Sequence, residues 1–277
     1  MTRSILIRGA LAFDKRPNAF VQQTIPTIRS WFDGELVVCT WKGQEKFVEG
    51  IENHIDKLIL LDDPGPGFIQ AYNRQLISYQ NGLAECTGEV VFVARSDFNI
   101  TKDPFPIWQR VSQKNNGRMQ VFEKRVVVGN MMTVHPEKEK PTDAFFRVSD
   151  WIQMGQKTDL MKWSSVLQTS QRLYREATRA EDIQTKEYRT EPYGSEQVWL
   201  ISLLNQYLDS SVNLLNYGSV SLDTAWNVIL NNFWVMNTRS SLNAYNLNWN
   251  FQSEFHPIYM TETEYLEAYT KLYGTTT

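Results

Sequence analysis

Apolar residues in the first hundred positions follow two alternating periods. The runs "SILIRGAL", "ELVVCTW", "KLILLDD" and "EVVFVAR" place Val, Ile and Leu on successive positions, as strands buried on both faces do. Between them the spacing becomes helical. "FVQQTIPTIRSWF" carries Phe20, Val21, Ile25, Ile28 and Trp31–Phe32 near a helical repeat, with Pro26 inside it to kink or delay the helix. "FVEGIENHI" predicts a second helix, and the long periodic stretch "FIQAYNRQLISYQNGLAEC" a third. Pro64-Gly65-Pro66-Gly67 stops the strand that precedes it. Strand–helix–strand units in succession predict an open α/β sheet of parallel strands with right-handed crossovers.

Beyond residue 100 the pattern changes. "QVFEKRVVVGNMMTV" predicts hairpin strands, and the polar "HPEKEKPTD" a solvated loop. "AFFRVSDWIQMG" returns to apolar character, and a helix is expected from Met161 to Ala180. "SEQVWLISLLNQYLD" and "SLDTAWNVILNNFWVMN" predict amphipathic helices with Ser195 and Ser221 as N-caps. An Asn- and aromatic-rich stretch, "LNAYNLNWNFQSEFHPIYM", follows. With no internal repeat, the expectation is one continuous α/β domain over 1–277, with a mostly helical C-terminal portion.

An open α/β sheet binds ligands at the carboxyl ends of its strands. That rule selects Arg8-Gly9, Thr40-Trp41, Asp62-Asp63 and Arg95-Ser96-Asp97. A carboxylate at a strand end suits Mg²⁺ or Mn²⁺, which can bridge the phosphates of a nucleotide-sugar. Arg95 faces the same side as Asp97 by the period of two, and a guanidinium matches phosphate geometry. The structural alternative is an Arg–Asp ion pair where the strand surfaces. Asp62-Asp63 before Pro-Gly is either a ligand for metal or ribose hydroxyls, or turn chemistry. Arg74, on the helix before the fourth strand, either reaches a diphosphate or lies on a solvated face. Asp150 is a candidate general base beside Trp151, which would pack on a sugar ring; alternatively it caps a helix starting at Trp151. Glu196 sits in a first helical turn, where the helix dipole favours a carboxylate and a general base would be well oriented.

Composition narrows the classes. A net charge of −3 makes the whole chain a poor electrostatic match for nucleic acid or anionic lipid. Cys39 and Cys86 follow apolar stretches and read as buried free thiols, which fits a reducing cytosol. The start, "MTRSILIRGALAF", is too short and too interrupted by Arg8 for a signal peptide. No segment reaches about 18 uninterrupted apolar residues, so work on lipid-linked material would proceed from the membrane surface. His54, His135 and His256 show no HxH or HExxH spacing. The absence of GxGxxG, GxxxxGK[ST] and GxSxG removes the main support for dinucleotide oxidoreductases, P-loop NTPases and α/β-hydrolases.

"TWKG" (Thr40–Gly43), "DDPG" (Asp62–Gly65), "NRQ" (Asn73–Gln75), "RSDF" (Arg95–Phe98), "SDW" (Ser149–Trp151), "SEQ" (Ser195–Gln197) and "NNF" (Asn231–Phe233) occur in this order. The ordered set, from about Ile5 to about Val235, resembles the WavE-type proteins of lipopolysaccharide and capsule biosynthesis, which look like glycosyltransferases. The resemblance implies a GT-A-like nucleotide-diphospho-sugar fold, with residues 1–100 as the nucleotide-binding half and 101–277 as the acceptor side. In GT-A enzymes a D-x-D motif ends the fourth strand. Asp97 matches its last position, the metal ligand, while Arg95 replaces its first acid. By the same carry-over Arg8, Gly9, Thr40 and Trp41 surround the nucleoside, and Asp63 and Arg74 contact ribose and diphosphate. Glu196 or Asp150 is the base that an inverting transfer needs; a retaining transfer would not need it. The implied partners are a nucleotide-diphospho-sugar donor, Mn²⁺ or Mg²⁺, and a glycan acceptor, in the cytoplasm or at the inner membrane surface. Two rival classes stay open. One is a sugar-phosphate or nucleotidyl transferase, and the other a non-catalytic carbohydrate-binding protein using Tyr245–Tyr259.

Overall fold

A computed structural model describes residues 1–12, 20–64, 72–111, 117–138, 146–166, 195–208, 220–246 and 258–274. The first four strand expectations hold closely: β1 (Arg3–Arg8), β2 (Glu35–Trp41), β3 (Lys57–Leu61) and β4 (Val90–Arg95). β1 lies between β2 and β4, parallel to both, and β3 pairs parallel to β2. Alternation along β1, β2 and β4 splits their apolar residues between two cores, whereas the edge strand β3, expected to be buried on both faces, is only partly buried, with Leu58 exposed. Leu6, Val37, Cys39, Val91 and Val93 face one way and pack with α2 (Tyr72–Glu85). Ile5, Ile7, Leu36, Val38, Phe92 and Ala94 face the other way and pack with α1 (Val21–Arg29). A helix on each face explains the unbroken apolar runs.

The second half extends the same sheet. After β5 (Phe98–Asn99) and α3 (Phe105–Val111) come β6 (Val126–Gly129), β7 (Ile152–Gln156) and α4 (Lys157–Ser164). Then follow α5 (Ser195–Tyr207), α6 (Leu222–Asn232), β8 (Phe233–Met236), α7 (Thr238–Leu242), β9 (Tyr245–Asn246) and α8 (Glu262–Tyr273). The seven-stranded order is β3-β2-β1-β4-β7-β6-β8, with β5 and β9 forming a separate antiparallel pair. Only β7 runs against its neighbours in the large sheet. This is the mostly parallel α/β architecture expected, and the C-terminal half supplies strands to it as well as helices.

Several local expectations change. "FVEGIENHI" forms two short 3₁₀ turns, Glu45–Val48 and Glu52–His54. Gly50 between them has φ 85°, which a continuous helix cannot contain. The expected hairpin in 120–134 is the single strand β6, paired to β7 and β8. Asp150 caps no helix at Trp151, because β7 begins at Ile152. The helix expected over Met161–Ala180 is α4, which starts earlier and ends at Ser164; residues 167–180 lie outside the described ones. Ser221 caps α6 as expected, its side chain accepting from Thr224 N. The side chain of Ser195, residues 139–143 of the polar run, residues 144–145 that begin the next apolar stretch, His256 and residues 247–257 of the aromatic stretch also lie outside the described residues. Among the described residues no helix is long and apolar enough to cross a membrane.

Candidate functional site

The carboxyl ends of β1, β2 and β4 open into a cleft of about 300 Å³. β1 ends in Arg8 and the chain then turns at Gly9, with φ 102°. Gly9 N donates to Cys39 O at 3.0 Å, and Ser96 N to Arg8 O at 2.9 Å. Ser96 Oγ donates to Ala10 O, tying the two strand ends together. The fold brings Arg8, Gly9, Trp41, Asp63, Arg95 and Asp97 from the strand ends, and Arg74 from α2, to the lining of one cleft.

Three guanidinium–carboxylate pairs organise it. Arg95 Nε and Nη2 donate to Asp97 Oδ1 and Oδ2 at 3.0 and 2.6 Å, a bidentate fork. The Arg95 guanidinium also lies over the Trp151 ring, 4.7 Å from its centroid. Arg74, on the first turn of α2, makes the same fork to Asp63 at 2.7 and 2.6 Å. Arg8 Nη2 donates to Asp150 Oδ2 at 3.0 Å and to Asp150 O at 2.5 Å, with both side chains buried. Tyr79 packs under Arg8, 5.2 Å from the guanidinium, and donates its hydroxyl to Gln153 Oε1 at 2.7 Å.

Charge gathers around Arg95. Burial works against its proton, but Asp97, joined by Asp150 and Glu196, outweighs burial and holds the pKa above the ordinary value. The Asp63 hydrogen bonds hold Arg74 above its ordinary value in the same direction. Glu196, in the first turn of α5, is buried and near enough for its charge to act on Arg95, although it does not line the cleft. Asp150 is fully buried behind Arg8, and its Oδ1 has no hydrogen-bond partner among the described residues.

Three expectations shift. Thr40 is fully buried and donates to Gln44 Oε1 at 2.9 Å, so its hydroxyl is already engaged. Trp151 is 4% exposed, with Arg95 on its ring and Phe98 beside it at 5.8 Å; it supports Arg95 and offers no face to a sugar ring. The third concerns the divalent cation. In a nucleotide site Mg²⁺ or Mn²⁺ needs one or two accessible protein carboxylates, phosphate oxygens and water completing its shell. Both Asp97 oxygens and both Asp63 oxygens are taken by guanidinium forks, and Asp150 Oδ2 is bound to Arg8. Among the described residues no group of three or more His, Cys, Asp or Glu could hold a metal ion. The donor set as arranged does not fit the implied metal.

The cleft also contains residues to which the sequence reading gave no role. Gln44 lines it and accepts from Leu11 N at 2.7 Å, joining two loops. Ser78 lies one helical turn beyond Arg74, on the same face, a spacing that could have flagged it. Gln75 lines the cleft as well, and its buried Oε1 has no partner among the described residues.

The family model for WavE lipopolysaccharide synthesis matches residues 4–271. The chain belongs to that family. No curated protein matches this WavE chain. Among solved structures it is similar to TarS of S. aureus, with 13% identity over 76% of this chain and 34% of that one, at TM-score 0.37. The 1–349 piece of TarS in complex with UDP-GlcNAc gives 14% identity, 76% and 54% coverage, and TM-score 0.39. HddC from Yersinia pseudotuberculosis gives 8% identity, 58% and 79% coverage, and TM-score 0.37. The WavE chain thus spans about a third of that TarS chain and about half of the 1–349 piece.

Proposed function

We propose that this WavE-family chain transfers a sugar from a nucleotide-diphospho-sugar to the hydroxyl of a surface-glycan acceptor. The observation that carries the reading is the cleft at the carboxyl ends of β1, β2 and β4, with three arginines on its wall, in a chain of a lipopolysaccharide synthesis family. Such a cleft suits a ligand with a concentrated negative charge and an attached nucleoside. In this reading Gly9 and Trp41 border the nucleoside, and Arg74 and Arg95 face the diphosphate. Arg8 is the buried post beneath them, and Asp150 is the anchor that fixes Arg8.

The acceptor oxygen attacks the anomeric carbon, the bond from that carbon to the diphosphate oxygen breaks, and the nucleoside diphosphate leaves. Glu196 takes the proton from the acceptor hydroxyl. Both carboxylates are buried and outside the cleft lining; Glu196 is preferred because Asp150 has one oxygen committed to Arg8. The arginines stabilise the charge that grows on the departing diphosphate, as fixed donors do best in a site that excludes water.

The test is product analysis with UDP-, GDP- and dTDP-sugars and a lipopolysaccharide-core acceptor. UDP is the first probe, being the nucleotide found in a TarS complex. Release of a nucleoside diphosphate with sugar added to the acceptor is expected. Release of pyrophosphate or nucleoside monophosphate would replace the reading with sugar-phosphate or nucleotidyl transfer. Glu196→Gln is expected to lower kcat by about 10²–10⁴-fold with nucleotide affinity nearly unchanged. Full turnover in that variant would remove Glu196 from the chemistry.

A further inference from the structure

We propose that Arg74 and Arg95 bind the donor's diphosphate directly, each with one edge of its guanidinium, so that donor binding needs no divalent cation. The inference rests on the function proposed above and specifies how its donor site works.

A guanidinium carries five N–H donors arranged around a plane. In Arg95 the fork to Asp97 engages Nε and Nη2, and in Arg74 the fork to Asp63 engages the same two atoms. Such a fork consumes two N–H groups and leaves the Nη1 side of the plane to face something else. Both residues line the same cleft. The aspartates therefore act as positioning residues: each fixes the plane of a guanidinium and turns its other edge outward. For Arg95 the Trp151 ring adds a floor 4.7 Å below the charge. The arginines thus meet the diphosphate already oriented, with little side-chain freedom left to lose on binding.

The same geometry removes the metal's ligands. A D-x-D site offers its last carboxylate to the cation. Here that carboxylate, on Asp97, is 2% exposed and held at both oxygens by the residue occupying the first acid's position. An acid-to-arginine exchange at this point substitutes a cation supplied by the chain for one that would have to be bound. Asp97 is assigned to aligning Arg95, and a cation would have to break that fork to reach it.

The experiment is calorimetric titration of UDP, GDP and dTDP into the full chain, once with excess EDTA and once with Mn²⁺. Affinity for the preferred nucleotide is expected to agree within about twofold between the two conditions. Arg74→Gln is expected to weaken binding in EDTA by about tenfold or more. Arg74 is half-exposed on α2, so this variant should fold, and an unchanged melting temperature checks it. Asp97→Asn keeps the shape of the side chain but loses the fork that aligns Arg95, so affinity should fall alike in EDTA and in Mn²⁺, whereas a metal site would lose only its Mn²⁺-dependent binding. Binding that appears only with Mn²⁺, or that survives Arg74→Gln and Arg95→Gln unchanged, would overturn the proposal while leaving a sugar transferase in place. No binding of any nucleotide in either condition would overturn both.

Discussion

At Gly9 the chain leaves β1 with φ 102°, in the region L side chains avoid. A Cβ built there would have room, its nearest neighbour being Ser96 Oγ at 3.9 Å. The cost of Gly9→Ala is therefore backbone strain without a clash, about 1–2 kcal/mol. Urea denaturation should show a lower midpoint with an unchanged slope; an unchanged midpoint would mean that the turn relaxes freely. Cys39 and Cys86 give a second test at this scale. Burial pushes both thiols up to about 12, Cys39 against the opposing pull of Arg8, and neither forms a disulfide. At pH 8 both are then thiols shielded from solvent, and the thiolate is the reactive form. Ellman's reagent should label neither at an appreciable rate in the folded protein, and both once urea unfolds it. Rapid labelling of the folded chain would contradict their burial.

Among the elements, α2 is the one whose placement the site depends on, since it carries Arg74, Gln75 and Ser78. Gly82 fixes how closely α2 approaches the sheet. A Cβ there would fall 2.5 Å from Leu6 Cδ1 and 3.0 Å from Cys39 Cβ, into the middle of β1 and β2. Gly82→Ala is expected to cost about 1–3 kcal/mol through overpacking, despite alanine's better helix propensity. A stabilised variant would show that the helix can lift without loss. The elements also show where sequence was informative. "ELVVCTW" matches β2 residue for residue because burial on both faces writes an unbroken apolar run. "FVEGIENHI" misleads because its apolar spacing is helical while Gly50 breaks the backbone. β6, β7 and β8 are hard to read because their pairing joins Val126, Ile152 and Phe233, positions far apart in sequence that no local period connects. For the site, the strand-end rule located Arg8, Trp41 and Arg95. The Arg95–Asp97 ion pair, the structural alternative to a metal ligand, is the arrangement that forms, whereas the Arg74–Asp63 fork was not legible, since residue types leave side-chain partners open.

The whole molecule carries net charge −3, and each of the three arginines at its strand-end cleft is paired with an aspartate. Attraction of a nucleotide must therefore come from local placement, because the overall charge repels an anion. Binding at that cleft couples to the entire fold. It holds the ends of β1, β2 and β4 together, and these strands link α1 on one face to α2 on the other. A ligand that binds only the folded state stabilises it by about 2.7 kcal/mol at a hundred times its Kd. For a chain of this size that corresponds to a rise in Tm of about 5 °C or more. Differential scanning fluorimetry with saturating UDP in EDTA should show that rise, and added salt should shrink it because the partly exposed Arg74 is screened. Arg74→Gln should reduce the rise while leaving the unliganded Tm in place, since its pair with Asp63 is half-exposed and such pairs contribute little to stability. If the unliganded Tm fell together with the ligand shift, Arg74 would be holding the fold together. Its placement at the cleft would then be a consequence of packing α2 and no sign of diphosphate recognition.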